Sequence, residues 1–404
     1  MKGFWNRSPE PDPPAEESVE PPPPPPPPPA PRYLVSTAGH PNYGDELITR
    51  AWLEHLARVE PDSDVWIDCP HPGRAAHLFA GVHQRAQFTN TLWELAHSSP
   101  SHDPVSDTER IARIVRHLGS PRFDAGIVAL RRMRSLHLLG GGYLNSMWHD
   151  NLGLVAAVVE VSRAFEVPIY ATGQGMTPLD ERHRDWIRDL VSCFEVFEVR
   201  DAESAGATGA ELGIDDAFLA LADGRSPYDG ADSPHKMVLV QGDLKAWSDE
   251  EARRSIASFV GEGDDVGVVE AIPPDDLIYR DAVPGEPRVY PFGHIWVDGL
   301  PARAGQEWLT TRFHIHLMAA AAGAAGTVIA GLPGYYDVKH ESLLALGTGW
   351  NVIAAGMDLG DEAARPTRSD EFPETARALA AQKSGLACRI YGDAAEDGQS
   401  LSQN

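Results

Sequence analysis

Short apolar strands alternate with amphipathic helices along most of this chain, and the alternation runs twice. Tyr33–Thr37 reads as a strand, then comes a glycine-rich loop, then a helix around Glu46–Ala57. Further strands read at Val65–Asp68, Leu136–Leu139, Pro168–Ala171 and Val196–Val199, with helices near Asp107–Leu118, Leu154–Phe165, Glu181–Val191 and Ala202–Leu212. This pattern requires right-handed βαβ crossovers and therefore a parallel sheet. Residues 222–235 interrupt it with Gly, Pro, Asp and Ser and few apolar positions, the composition of a linker. The alternation then restarts with strands at Met237–Gln241, Asp265–Ala271, Thr327–Ala330 and Asn351–Ala354. Helices are expected near Asp249–Val260, Thr310–Ala322, His340–Leu346 and Glu371–Ala387. The expectation is an α/β chain of two Rossmann-like domains, 33–221 and 236–404, joined by 222–235. A cleft then separates them, and ligands are expected beyond the carboxyl ends of the strands.

Residues 1–32 hold few apolar residues beyond Phe4 and Trp5 and carry nine consecutive prolines, Pro21 to Pro29, so they read as a disordered or polyproline II tail acting as a spacer. The chain has 59 acidic against 34 basic side chains and a formal charge of −25. Such a surface repels phosphate backbones, which argues against nucleic acid and anionic membranes as partners. A small anion can still bind, but only at a local cluster of arginines. Cys69, Cys193 and Cys388 are isolated and form no C-x-x-C pair, so neither a disulfide framework nor a zinc knuckle is expected. No apolar run reaches the ~18–20 residues of a membrane span, and Lys2 and Arg7 precede no apolar segment of secretory type. The expected location is the cytoplasm.

Six motifs fall at expected strand ends. In Ala38-Gly39-His40-Pro41-Asn42-Tyr43-Gly44-Asp45-Glu46 the two glycines are spaced like those of a phosphate loop, but Asp45 stands where such a loop needs lysine. Asp45 reads either as a helix N-cap, the reading favoured from these residues, or as a carboxylate that takes a proton from a hydroxyl. Gly140-Gly141-Gly142 ends a strand and lets backbone approach a ligand; Gly173-Gln174-Gly175 is a weaker signal of the same kind. Arg200 ends a strand before Asp201, placed to hold a carboxylate or phosphate or to pair with its acidic neighbours. Arg312-Phe313-His314-Ile315-His316 opens a helix. Residues two apart on a helix diverge by about 200°, so the two histidines are not expected to share a metal, and His316 is expected to pack. Lys339 follows Gly334-Tyr335-Tyr336-Asp337 at another βα turn.

In this order, from about Tyr33 to Val352, the motifs resemble those of the polysaccharide pyruvyl transferase family. The resemblance implies a GT-B-like fold, phosphoenolpyruvate as donor, a sugar or glycan diol as acceptor, a ketal product and released phosphate. It also implies that Arg200 and Arg312 hold the donor, that His314 is the acid and that Asp45 matches the family aspartate. Asn42, Gly141, Gly142, Gly173, Gly175 and Lys339 complete the expected binding set. No metal or cofactor is required in that scheme. The competing readings are a GT-B-like glycosyltransferase that uses a nucleotide sugar and a non-catalytic binding protein on the same scaffold.

Overall fold

The computed structural model describes residues 29–222, 226–359 and 364–392; the expected disorder of the proline-rich segment falls almost wholly outside them. Two parallel sheets are present. The first holds seven strands: β1 (Arg32–Val35), β2 (Val65–Asp68), β3 (Ala86–Thr89), β4 (Ser135–Leu138), β5 (Ile169–Gln174), β6 (Val196–Val199) and β7 (Glu211–Leu212). Their order is β3-β2-β1-β4-β5-β6-β7. The second holds six: β8 (Lys236–Leu239), β9 (Val266–Val269), β10 (Arg288–Tyr290), β11 (Glu307–Thr310), β12 (Ala325–Ile329) and β13 (Asn351–Ile353), ordered β10-β9-β8-β11-β12-β13. Both reverse direction beside their first strand, between β1 and β4 and between β8 and β11. Crevices at the carboxyl edge of such sheets open at that switch point. These are the two Rossmann-like halves anticipated from the alternation.

Burial explains why the strands read so clearly. All four residues of β1, β4 and β9 are buried, so each strand is covered on both faces, and β9 reads as an unbroken apolar run. Arg32 belongs to β1 rather than to a tail. Its guanidinium pairs with Glu60 at 2.6 Å and donates to Ser135 at 3.0 Å. The 202–212 helix is shorter than expected: Gly209 adopts φ +74, a conformation that ends the helix Ala202–Thr208 and leaves Glu211–Leu212 free to pair with β6. Upstream of Arg312, a strand, β11, occupies positions 307–310, and the helix there begins only at Phe313.

The first sheet ends at Leu212 and the second begins at Lys236, and we propose that the division between domains lies in 222–235. The C-terminal helix Phe372–Tyr391 departs from the simple division at 236–404. Its Lys383 ammonium lies 2.6 Å from Glu198 on β6 and 3.0 Å from Asp216, and Tyr391 shares a hydrogen bond with His137 on β4 at 2.8 Å. The helix therefore crosses back and packs on the first sheet. One apolar cluster spans both halves, with Phe79 edge-on to Trp296 at 5.7 Å. The Tyr43 amide also donates to the Ala271 carbonyl across the divide at 3.0 Å.

Candidate active site

A cleft of about 370 Å³ lies between the carboxyl edges of the two sheets. The loop after β1 supplies Asn42 and the helix that follows it supplies Asp45, the loop after β4 supplies Gly142, and the end of β6 supplies Arg200. From the second half come Asp243 after β8, Arg312 and His314 after β11, and Tyr335, Tyr336 and Lys339 after β12. Parallel strands place every one of these loops on the same side, which brings together residues separated by some 300 positions of sequence.

Asn42, not Asp45, is the N-cap of the helix Tyr43–Val59; Asp45 sits within its first turn. The favoured capping reading of Asp45 therefore fails. Its carboxylate lines the cleft, and Asn42 Nδ2 donates to Oδ2 at 2.8 Å. Gly44, one turn position earlier, makes room for His314. A Cβ at residue 44 would stand 1.8 Å from His314 Nδ1. The imidazole lies flat against bare backbone of the opposite half.

Arg200 is buried, and its Nη1 donates to Asp215 Oδ2 at 2.6 Å, while Nε has no hydrogen-bond partner among the described residues. The guanidinium also stacks 4.4 Å from the Phe313 ring, across the divide. Asp215 faces a second group: His314 Nε2 stands 3.5 Å from its Oδ1, an electrostatic contact longer than a good hydrogen bond. Burial pushes the Asp215 carboxyl upward, but His314 and Arg200 outweigh it and hold the group well below the usual carboxylate range. Asp215 thus sits between the first half's arginine and the second half's histidine.

Arg312 is more heavily committed. Nε and Nη2 donate to Asp276 Oδ1 at 2.9 and 2.7 Å, and Nη2 also reaches Asp243 Oδ1 at 3.0 Å. Asp276 is itself fixed by the amides of Ala271 and Ile272, at 2.9 and 2.6 Å. Lys339 stands over the Tyr335 ring, its Nζ 3.4 Å from the centroid. Burial first, then Arg200, push its ammonium well below the usual lysine range.

These are the parts a transfer of an anionic group needs: cations to hold it, an imidazole to move a proton and a carboxylate to accept one. A sequence model described as polysaccharide pyruvyl transferase matches residues 42–331, more than half of the chain. This chain belongs to the polysaccharide pyruvyl transferase family. The matched span contains Asn42, Asp45, Arg200, Arg312 and His314, whereas Lys339 lies just beyond it. No curated protein sequence matches the chain. Among solved structures, the calicheamicin glycosyltransferase aligns with a TM-score of 0.46 and 13% identity, covering 91% of this chain and 96% of that one. The glycosyltransferase SnogD from Streptomyces nogalater gives 0.47 and 12%, with 89% and 98% covered. The UDP-GlcNAc 2-epimerase from Neisseria meningitidis gives 0.46 and 9%, covering 89% and 98%.

The remaining expected binding residues of this pyruvyl transferase family member lie behind the cleft wall. Gly141 packs on Tyr143, and a Cβ there would come within 3.5 Å of the Asp45 carboxylate. Gly175 backs Arg200, with a Cβ position 2.8 Å from its Nε. Gly173 turns away from the cleft: its φ of +56 and close approach to Asp216 serve the turn. His316 is buried as expected, stacked on Trp350 at 4.6 Å and bonded to Thr348 at 2.9 Å. Among the described residues no cluster of His, Cys, Asp and Glu is placed to hold a metal. No helix among them is long and apolar enough to cross a membrane. Sequence reading missed Asp215, Asp243 and Asp276. Of these, only Asp215 carried a local signal, as the cap of a short helix whose Ala217 amide it accepts at 2.7 Å.

Proposed function

We propose that the chain transfers the pyruvyl unit of phosphoenolpyruvate to a pair of sugar hydroxyls, forming a cyclic ketal and releasing inorganic phosphate. The observation that carries this reading is the convergence of Arg200, Lys339, Arg312, His314 and Asp45, drawn from both sheets, on one cleft. A donor with both a carboxylate and a phosphate suits a site with three cations.

The chemistry follows from the groups present. His314 gives a proton to C3 of the enol, turning the methylene into a methyl group and leaving C2 electron-poor. The first sugar hydroxyl bonds to C2, and Asp45 takes its proton. The C2–O bond to phosphate then breaks with its electron pair leaving on phosphate. The second hydroxyl closes the ring at C2, and its proton leaves with phosphate or returns to the imidazole. No electrons are gained or lost overall. Arg200 and Lys339 answer the charge that grows on the departing group.

The test is incubation of the purified chain with phosphoenolpyruvate and a panel of glycans that offer neighbouring hydroxyls. Phosphate release should depend on the acceptor, and the acceptor should gain one pyruvyl ketal by mass. Transfer of a sugar from a nucleotide sugar, with phosphoenolpyruvate inert, would assign the cleft to glycosyl transfer instead.

A further inference from the structure

The three cations of the cleft are not equivalent, and their counter-charges differ in a way that sorts the two ends of an anionic ligand. Arg312 faces two carboxylates, Asp276 and Asp243. Its Nε and Nη2, the edge that grips an oxyanion in two-pronged fashion, are both occupied. On the other wall one carboxylate, Asp215, lies between Arg200 and the His314 imidazole. It bonds Arg200 Nη1, leaving the Nε–Nη2 edge without a protein acceptor among the described residues.

Lys339 has no carboxylate within ion-pair distance among the described residues, although only 9% of it is exposed. Asp45 and Asp201 act on it only from farther away, and Asp201 is bonded to Ser204. The bare Cα of Gly142 lets Lys339 and Arg200 draw close. A Cβ there would stand 2.8 Å from Nζ and 3.1 Å from Nη2, so the two nitrogens are less than about 6 Å apart. Two buried like charges at that separation raise each other's cost unless an anion lies between them.

We propose that Lys339 and the open edge of Arg200, over Gly142, form the phosphate subsite, and that Arg312 takes the donor carboxylate once Asp243 yields its place. Asp243 suits that exchange, being about one-third exposed where Asp276 is fully buried. A phosphate dianion completes the charge balance around Lys339 and Arg200. A single carboxylate replaces Asp243 on Arg312 charge for charge. This assignment rests on the donor reading above, and its test is chosen so that the two can fail separately.

The probes are inorganic phosphate and pyruvate, titrated by calorimetry into the full chain. Phosphate should bind the unaltered chain. Lys339→Met should weaken it at least about tenfold, the effect of losing one charge-assisted contact. Pyruvate binding should stay within about twofold, and Lys339→Arg should recover most of the phosphate affinity. Arg312→Lys should show the reverse, with pyruvate weakened and phosphate nearly unchanged. Met keeps the length of the buried lysine and removes an unpaired charge, so the melting temperature should not fall. Phosphate that ignores Lys339→Met, or is weakened equally by Arg312→Lys, overturns the sorting. UDP bound more tightly than phosphoenolpyruvate through the same Lys339 leaves the phosphate subsite standing and removes the donor reading. Turnover of phosphoenolpyruvate unaffected by Lys339→Met does the opposite.

Discussion

Gly44→Ala tests the way the two halves meet at His314. The added methyl would stand 1.8, 2.3 and 2.6 Å from Nδ1, Cγ and Cε1 of the imidazole. Ordinary contact begins near 3.4 Å, so the ring must retreat by roughly 1.5 Å. Cγ is one bond from Cβ, so rotation alone does not clear the clash, and the helix Phe313–Ala321 or the ring's contact with Asp215 must give. Overpacking of this kind costs about 1–3 kcal/mol. Helix propensity acts in the opposite direction, since alanine is better than glycine in a helix by up to about 1 kcal/mol. In a His314→Ala background the obstacle is gone, and Gly44→Ala should be neutral or slightly stabilising. The assay is urea denaturation of the four chains of this cycle, which needs no knowledge of the substrate. The coupling expected is about 1–3 kcal/mol. Equal cost in both backgrounds, with coupling below about 0.5 kcal/mol, would mean that His314 does not rest on Gly44. In the active chain the same displacement should lower kcat by about 10²-fold.

Three other outcomes are expected. Lys383→Met leaves Glu198 and the fully buried Asp216 without their cation, and should cost about 3–5 kcal/mol in denaturant titrations, partly recovered by adding Glu198→Gln. Burial depresses His340 to about 4 and His137 to about 3. At these two sites the unfolded chain binds more protons than the folded one below about pH 6.5, so their contribution to stability is full above that pH and is lost on acidification; His340 alone accounts for about 3 kcal/mol by pH 4. His340→Gln should therefore lose less stability than the unaltered chain between pH 7 and pH 4, and equal acid losses in the two would contradict this. Asp215→Asn strands Arg200 beside Lys339 and should cost about 3–5 kcal/mol, with saturating phosphate restoring part of it; a loss indifferent to phosphate would count against the proposed charge balance.

The architecture was legible because buried parallel strands write continuous apolar runs, as in β9, and because the composition dip at 222–235 separates two such series. Strands with a mixed pattern escaped. Ala86–Thr89 is only half-buried along its length, and Glu307–Thr310 went unassigned except for Thr310, which was joined to the helix that follows it. Cationic site residues stood out because each sits at a strand end within a short motif. Their carboxylate partners did not, since Asp276 and Asp243 reach Arg312 from loops 36 and 69 residues away. Asp45 was misread because capping is decided three residues earlier, at Asn42. The helix Phe372–Tyr391 gave no sign of its destination, because an alanine-rich run states that a face is small but not which sheet it packs on. Its buried Lys383 is intelligible only beside Glu198 and Asp216.

The central claim is that His314 protonates C3 of the enolpyruvyl unit during transfer. The most direct measurement runs the reaction in deuterium oxide with unlabelled phosphoenolpyruvate and a productive acceptor, and reads the ketal methyl group by proton NMR and mass spectrometry. The account predicts one deuterium in each methyl group, and His314→Ala should retain phosphoenolpyruvate binding while losing this product. A product that keeps its methylene as an enol ether, or a ketal methyl without deuterium, would contradict it.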